Sequence, residues 1–552
     1  MEEMRTCTVG GALDLAAANF PDSDALVYVE RGLRYSYHEL NRACRDVAVG
    51  LLAMGIRKGD HVAIWANNVP EWVILQFATA KIGAVLVTVN TAYMAHELEY
   101  VLRQSDATTL FLVEQFKGTS YVDVLDEVVP ELAESQPGQL RSPKLPCLKS
   151  VVMLGDASHP GAYRFSDIAR MNGAEGLADL ELVEAGLQAD EVINMQYTSG
   201  TTGFPKGVML THANVVNNGF AVGECMLLTT EDRVCIPVPF FHCFGCVLGV
   251  LACVTHGATM VPVETFVAAK VLEAVETERC TALHGVPTMF IAELAELDSG
   301  DYDLTSLRTG IMAGAPCPVE VMRRVMEEMH ASEITIAYGQ TESSPVITQT
   351  RTHDPIELRV RSVGRALPDV DVKIVDRATG ALLANGEQGE LCTRGYLVMR
   401  GYYKMPKETA EAIDDEKWLH TGDLAVMDAN GYCRITGRIK DMIIRGGENV
   451  YPREVEEFLH GHPAILDVQV FGVPDLKYGE EVAAAVILNE GAVLTAEELR
   501  DYCRARVAHH KVPRYVQFVS SYPVTASGKV QKHRLRELAV REFGLQEIGE
   551  TA

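Results

Sequence analysis

Apolar and polar positions along this chain follow two periods that alternate. Across 37–54 the apolar residues Leu40, Cys44, Val47, Leu51 and Leu52 recur at helical spacing, and Gly55 closes the run. Strand patterns follow at 61–65, 84–89 and 108–113, separated by helical patterns at 70–82 and 96–104. Short β-branched runs alternating with helices predict an α/β fold with parallel, doubly wound sheets covered on both faces. The same alternation continues over 204–350. The stretch 134–150, rich in Pro, Ser and Lys, predicts an exposed loop.

From about residue 362 the pattern changes. Short strands at 370–375, 389–393 and 432–435, with turns such as Ala429-Asn430-Gly431, predict a small antiparallel or β-barrel-like unit. Beyond Gly437-Arg438-Ile439-Lys440-Asp441 comes a compact α+β tail. It comprises helix 452–460, strands 465–472 and 481–488, helix 496–506 and a terminal helix at 532–543. Placing the boundary at Lys440 gives a large N-terminal domain, 1–439, and a small mobile C-terminal domain, 440–552.

Composition narrows the class. A chain of 552 residues exceeds one ordinary core, and 47% hydrophobic with 22% charged residues describes a folded protein. With 75 acidic against 49 basic residues the net charge is −26, which argues against a nucleic-acid or anionic-membrane partner. Thirteen cysteines without paired spacing, and acidic residues in Met1-Glu2-Glu3-Met4 where a secretory signal would be basic, point to the cytoplasm. The uncharged stretch 234–263 is interrupted by Pro237, Pro239, His242, His256 and glycines. It reads as a buried strand followed by a core helix, with no integral membrane segment. Cys243, Cys246, Cys253 and His256 lie in that apolar run without acids nearby, so packing is favoured over zinc.

The chemistry concentrates in Tyr197-Thr198-Ser199-Gly200-Thr201-Thr202-Gly203-Phe204-Pro205-Lys206-Gly207-Val208. A short apolar strand runs into it and another apolar run leaves it. Its glycines permit close backbone approach, its hydroxyls and Lys206 donate, and it carries no negative charge. Successive backbone N–H groups in such a loop suit phosphate oxygens. It is not a Walker A loop, because Lys206 precedes Gly207 and Val208 follows.

This loop resembles the signature of the adenylate-forming (AMP-binding) superfamily, which includes acyl-CoA synthetases, firefly luciferase and peptide-synthetase adenylation domains. The resemblance spans about 15–540, with the motifs in family order. It implies that Thr198, Ser199, Gly200, Thr201, Thr202, Gly203 and Lys206 hold the ATP triphosphate. In Ala337-Tyr338-Gly339-Gln340-Thr341-Glu342 it implies that Tyr338 stacks on adenine, with Gly339, Gln340 and Thr341 lining the nucleotide. Glu342, with Thr198, would bind Mg²⁺. A carboxylate beside a triphosphate requires a bridging cation, and Mg²⁺ takes one or two carboxylates plus substrate phosphates.

Met312-Ala313-Gly314-Ala315-Pro316 resembles the adenine-binding turn, here through Gly314, Ala315 and Pro316, with Ala313 where the family often has Gly. Trp418-Leu419-His420-Thr421-Gly422-Asp423 resembles the ribose motif, with Asp423 accepting from the ribose hydroxyls. Arg438 would contact ribose or phosphate, and Lys440 would be the hinge. Gly446 and Gly447, in Arg445-Gly446-Gly447-Glu448-Asn449, would pass pantetheine. Lys529, in Thr525-Ala526-Ser527-Gly528-Lys529, resembles the mobile catalytic lysine. Phe240, Phe241, His242 and Phe244 would form the acyl pocket, with His242 at its carboxylate end.

The wording from Met442 to Pro452 is closest to medium-chain fatty acyl-CoA synthetases. The resemblance therefore implies two half-reactions. A fatty acid attacks Mg·ATP to give acyl-AMP and pyrophosphate; the C-terminal domain then rotates, and CoA displaces AMP. The partners are small molecules (carboxylic acid, ATP and CoA), and the reading allows a homodimer. Loading of a carrier protein, activation of an aryl or other carboxylic acid, and luciferase-like oxidation share the first half-reaction. A non-catalytic scaffold would not need Lys206, Glu342, Asp423, Arg438 and Lys529 together.

Overall fold

The computed structural model describes the chain apart from residues 1–5, 172–173, 199–204, 316, 439–440, 446–447, 505, 527 and 546–552. It divides into two compact units. The first comprises 1–359, 364–371 and 393–419; the second comprises 360–363, 372–392 and 420–552.

Local signals set the elements of the first unit. Helix Tyr37–Ala53 starts at Ser36, whose hydroxyl accepts from Glu39 N while the Glu39 carboxylate accepts from Ser36 N, a reciprocal cap. Its buried face carries Leu40, Cys44, Val47 and Leu51, at the expected spacing. Helix Pro70–Ile82 has proline in its first turn and ends on Gly83 in the left-handed region (φ 70°). It is buried nearly all round, as a helix packed among other elements must be.

Two sheets result. The nine-stranded sheet runs Arg365–Ala366, Val346–Gln349, Thr335–Gly339, Thr309–Ala313, Ala282–Gly285, Arg233–Ile236, Thr259–Pro262, Asp24–Tyr28, Leu33–Ser36. The eight-stranded sheet runs Gly401–Tyr402, Lys206–Thr211, Val192–Thr198, Val85–Thr88, His61–Trp65, Thr109–Leu112, Ser150–Met153, Tyr163–Arg164. The central strands of both sheets pair parallel; antiparallel pairings gather at Leu33–Ser36 and at the end carrying Val346–Gln349 and Arg365–Ala366 in one sheet, and at Lys206–Thr211 and Gly401–Tyr402 in the other, while the edge strand Tyr163–Arg164 is parallel. The inner strands are buried along their length, as both-face coverage requires.

Two expectations are corrected here. The loop before Ser150–Met153 is not exposed throughout: Leu140, Leu145 and Leu148 join the core that holds Trp65, Val87 and Leu110. Their Pro, Ser and Lys neighbours mask these apolar anchors in the sequence. The core helix after strand Arg233–Ile236 is also not a plain α-helix. It begins as a π-helix over Phe244–Leu251 and becomes α only at Ala252–His256.

In the second unit a four-stranded sheet is ordered Val370–Val375, Gln388–Gly395, Leu419–Met427, Cys433–Arg438. A five-stranded sheet is built on the long antiparallel pair Ile465–Asp475 and Gly479–Leu488, with Tyr515–Phe518 parallel to the latter. Helix Pro452–His460 buries Val455 and Leu459 in one core, and helix Lys532–Glu542 buries Leu535 and Ala539 in another. Among the described residues no helix is long and apolar enough to cross a membrane.

Candidate active site

The donor-rich loop connects two paired strands. Val192–Thr198 is parallel to Val85–Thr88 on one side and antiparallel to Lys206–Thr211 on the other, with Thr198 opposite Lys206. The loop thus leaves the carboxyl end of a parallel strand where the sheet changes direction, a usual position for ligands in open α/β sheets. Ser199, Gly200, Thr201, Thr202 and Gly203 lie outside the described residues. Helix Ala95–Gln104 holds both flanks: the Tyr100 hydroxyl donates to Pro205 O (3.1 Å), and the Tyr197 hydroxyl donates to Gln104 Oε1. A Cβ at Gly207 would lie 3.0 Å from Met195 Sδ and 3.2 Å from the Tyr197 ring, so glycine lets Tyr197 lie across the strand pair.

The neighbouring strand ends of the other sheet carry the next residues. Thr309–Ala313 and Thr335–Gly339 are parallel, with Ala313 opposite Ala337. The exposed Gly314-Ala315 turn and half-buried Tyr338 therefore leave adjacent strands. Gly314 has φ 89°. Pro316 lies outside the described residues. At Gly339 a Cβ would sit 1.8 Å from Pro345 O, which only glycine avoids. Gln340 N donates to Pro345 O, and Ser343 Oγ to Gln340 O, fixing the turn that carries Thr341 and Glu342.

Glu342 is tied to this region by a segment the sequence reading passed over. Met399 N donates to the Glu342 carbonyl (2.9 Å), and Ser344 Oγ donates to Leu397 O (2.6 Å). Two residues on, Gly401–Tyr402 pairs with the strand that begins at Lys206, and Tyr403 N donates to Gly207 O (2.8 Å). The Tyr402 hydroxyl donates to Glu342 Oε1 (2.8 Å), and Lys206 Nζ lies 4.7 Å from the Tyr402 ring centroid. Burial and the Glu342 carboxylate push the Tyr402 phenol well above its usual range, so it stays a donor. Glu342 Oε2 makes no hydrogen bond among the described residues. A half-buried carboxylate with one oxygen fixed and the other open fits a monodentate hard-cation ligand.

The phenylalanine-rich segment packs beside this turn. Phe240 N donates to Asn68 Oδ1 (2.8 Å), and the Phe240 ring lies 5.4 Å from Trp72. Phe240, Phe241 and Phe244 are buried, and His242 is half-buried. His242 Nδ1 accepts from Phe244 N (3.1 Å), so it is neutral at that nitrogen. Cys243 Sγ lies 4.0 Å from Thr341 Oγ1, joining this segment to the Glu342 turn. In the π-helix that follows, Gly245 lies where a Cβ would meet Pro239 O at 2.4 Å. The ring of His284 meets Leu248 O (3.1 Å), and burial lowers its pKa to about 4, so it is uncharged. The cysteines and histidine weighed for zinc have separate partners. Cys246 Sγ accepts from Gln196 (3.3 Å), Cys253 faces Thr259 O (3.9 Å), and His256 stacks on Phe220.

The remaining residues belong to the second unit. Asp423, 3% exposed, accepts from Arg438 Nε at 2.9 Å. Its turn is braced by Gly422 N donating to Glu390 Oε1 (3.0 Å) and by Thr421 Oγ1 donating to Leu391 O (2.7 Å). His420 Nδ1 lies 3.1 Å from Glu390 Oε2 and 3.4 Å from Cys392 Sγ. These three form the one group of metal-type ligands among the described residues, and ordinary hydrogen bonding accounts for their contacts. Half-buried Lys529 closes a tight turn: Thr525 N donates to Lys529 O (2.7 Å) and Lys529 N to Thr525 Oγ1 (3.0 Å). Lys440, Gly446 and Gly447 lie outside the described residues.

Comparisons with known proteins identify the family. Residues 13–403 match the model of the AMP-binding enzyme family, and 454–529 match that of the AMP-binding enzyme C-terminal domain. A putative acyl-CoA synthetase of Bacillus subtilis is 58% identical over 547 residues, covering 99% of each chain. A mitochondrial medium-chain acyl-CoA ligase of Danio rerio is 42% identical, covering 98% of this chain and 90% of its own. Among solved structures, an anthranilate CoA ligase in complex with anthranoyl-AMP superposes with a TM-score of 0.85 at 26% identity, over 98% of each chain. A Mycobacterium tuberculosis fatty acyl CoA synthetase gives 0.73 at 29%, over 98% of this chain and 99% of its own.

Proposed function

The chain belongs to the AMP-binding enzyme family, and we propose that it is an ATP-dependent acyl-CoA synthetase that joins a medium-chain fatty acid to coenzyme A, releasing AMP and pyrophosphate. The observation that carries the reading is the convergence on one side of the first unit. A donor-rich loop ends at Lys206, Tyr402 links Lys206 to Glu342, and a buried phenylalanine segment adjoins the Glu342 turn. The relatives named as acyl-CoA synthetases support the acyl substrate over an aryl one, since they are the more similar in sequence.

In the first half-reaction a carboxylate oxygen of the fatty acid attacks the α-phosphorus of ATP. The bond to the bridging oxygen breaks, and its electron pair leaves with pyrophosphate. Lys206 and the loop at 198–203 hold the triphosphate. Tyr338, Gly339, Gln340 and Thr341 with Gly314, Ala315 and Pro316 hold adenine, and Asp423 and Arg438 hold ribose. Lys529 carries a point charge on a flexible stem, suited to the negative charge that gathers between carboxylate and α-phosphate. Phe240, Phe241 and Phe244 seat the alkyl chain, and neutral His242 stands at its carboxylate end. Glu342 and Thr198 would hold Mg²⁺, which supplies the charge neutralisation a carboxylate beside a triphosphate requires.

In the second half-reaction the CoA sulfur attacks the acyl carbonyl and AMP departs with the electron pair of the C–O bond. The two-domain organisation at 1–439 and 440–552 belongs to this proposal, with Lys440 as pivot and Gly446 and Gly447 along the pantetheine path. Thirteen free cysteines suit a reducing compartment, and we place the enzyme in the cytoplasm, in fatty acid and lipid metabolism. A homodimer is compatible with the reading. Incubation with ATP, CoA, MgCl₂ and a panel of acids tests it. AMP, pyrophosphate and an acyl-CoA should appear in equal amounts with octanoate. AMP release without thioester for every acid would overturn it.

A further inference from the structure

Lys206 begins a strand of one sheet of the first unit and Glu342 lies in the turn between two strands of the other, far apart in sequence, yet one side chain touches both. Tyr402 is 8% exposed, on a two-residue strand paired to the strand of Lys206. It is held from behind by Thr409, whose Oγ1 accepts from Tyr402 N (2.9 Å). Just before it, Gly401 has φ 140°, and a Cβ there would meet Thr409 Cγ2 at 2.8 Å, so the chain passes closely enough for Thr409 to brace Tyr402. The hydroxyl donates to one oxygen of Glu342, and the ring face lies under the Lys206 ammonium.

We propose that Tyr402 is a positioning residue for the nucleotide and its metal: its hydroxyl fixes Glu342 so that Oε2 faces the metal, and its ring holds the Lys206 ammonium in place to meet a phosphate, a contact kept when the phosphate binds. The inference rests on the assignment of Glu342 to the metal in the proposed function. The two contacts are chemically separable. A hydrogen bond from a neutral hydroxyl to a carboxylate restricts the carboxylate's rotation, and its loss leaves a group that must be ordered at each binding event. A cation over a ring needs only the ring. Phenylalanine at 402 should therefore release Glu342 and keep Lys206, whereas leucine should release both.

The test is Mn²⁺ binding to the full chain with ATP, read by the loss of the free Mn²⁺ electron paramagnetic resonance signal, beside calorimetry of ATP in EDTA. For Tyr402→Phe, Mn²⁺ binding in the ATP complex should weaken about tenfold, the scale of one hydrogen bond to a charged group, while metal-free ATP binds as in the parent. Tyr402→Leu should in addition weaken metal-free ATP by about threefold, the scale of one exposed cation–π contact. Glu342→Gln should weaken Mn²⁺ strongly, and adding Tyr402→Phe to it should cost no further affinity, since the hydroxyl acts only through the carboxylate. If Tyr402→Phe leaves Mn²⁺ binding unchanged while Glu342→Gln weakens it, the positioning role is wrong and the metal assignment stands. If Glu342→Gln itself leaves Mn²⁺ binding unchanged, the assignment beneath it falls. If Tyr402→Phe and Glu342→Gln add, Tyr402 acts through general packing and the proposal is overturned.

Discussion

Asp423 and Arg438 face each other across antiparallel strands, and the guanidinium Nε donates to the carboxylate Oδ1 over 2.9 Å. The acid side chain is 5% exposed and the arginine side chain 54%, so the acid is held in the interior while the base reaches solvent. Ribose hydroxyls would donate to Asp423 while Arg438 turns toward phosphate. Asp423→Asn keeps the shape but removes the charge that strengthens those hydrogen bonds. It should weaken AMP binding about tenfold or more by calorimetry and leave the KM for the fatty acid unchanged. Equal AMP affinity in parent and variant would remove Asp423 from the ribose site.

Much of the fold was legible in the sequence because glycine, proline and helical spacing act locally. The spacing of Leu40, Cys44, Val47 and Leu51 marks one helix, Pro70 opens another, and the Thr198–Lys206 loop stands between two apolar runs. Membership of the adenylate-forming family, the mixed α/β fold and the ligase reading agree with the comparisons. Less legible were relationships that depend on register. Tyr402 lies in an unremarkable Gly-Tyr-Tyr, and only the pairing of its strand with that of Lys206 brings it to Glu342. The buried leucines of the loop before Ser150 were hidden by polar neighbours. Within the π-helix Phe244–Leu251, Gly245 and Gly249 pack closely against Pro239 and Ile236, contacts that no period reveals.

The acyl substrate should show a chain-length ladder. Each methylene moved from water into an apolar tunnel contributes about 0.8 kcal/mol, close to fourfold in affinity. On the proposed reading Phe240, Phe241 and Phe244 seat the chain, so kcat/KM should climb from butanoate upward until the tunnel ends, then fall. Measurement over even-numbered acids from acetate to palmitate checks it. A flat profile, or a preference for acetate, would mean that the chain is not held in an apolar channel.

Stability of the first unit should carry the signature of Glu293. This residue lies on helix Pro287–Leu297, fully buried, and neither carboxylate oxygen has a hydrogen-bond partner among the described residues. Burial raises its pKa from 4.5 to about 8. A raised carboxyl pKa means that the folded state holds a proton the unfolded chain has released. That contribution to stability is full below pH 4.5 and is lost as pH rises to about 8. Glu293→Gln cannot ionise, so its stability should not fall across that window, and above it the variant should be the more stable, by an amount on the order of a few kcal/mol at most. Denaturant titrations at pH 5, 7 and 9 would read it. Parallel pH profiles for parent and variant would place the pH dependence elsewhere.

Lys529 and Lys440 should divide the reaction between them. Lys529 sits at the close of a turn fixed by Thr525, with Gly528 at φ 81°, so its side chain starts from a defined backbone. In the proposed mechanism its charge has a place only where negative charge gathers on carboxylate and α-phosphate. Lys529→Ala should slow adenylation by roughly 10²–10³, the scale of losing one preorganised electrostatic donor, while CoA attack on supplied acyl-AMP proceeds. Lys440→Pro should act in the opposite sense. Proline fixes φ near −65° and restrains a pivot, so thioester formation should fall while acyl-AMP accumulates, with the restrained conformer being the adenylating one. Single-turnover assays of each half-reaction separate the two. Equal slowing of both halves by Lys529→Ala, or no effect of Lys440→Pro on either, would rule out a rotating C-terminal domain as the means by which one site carries two chemistries.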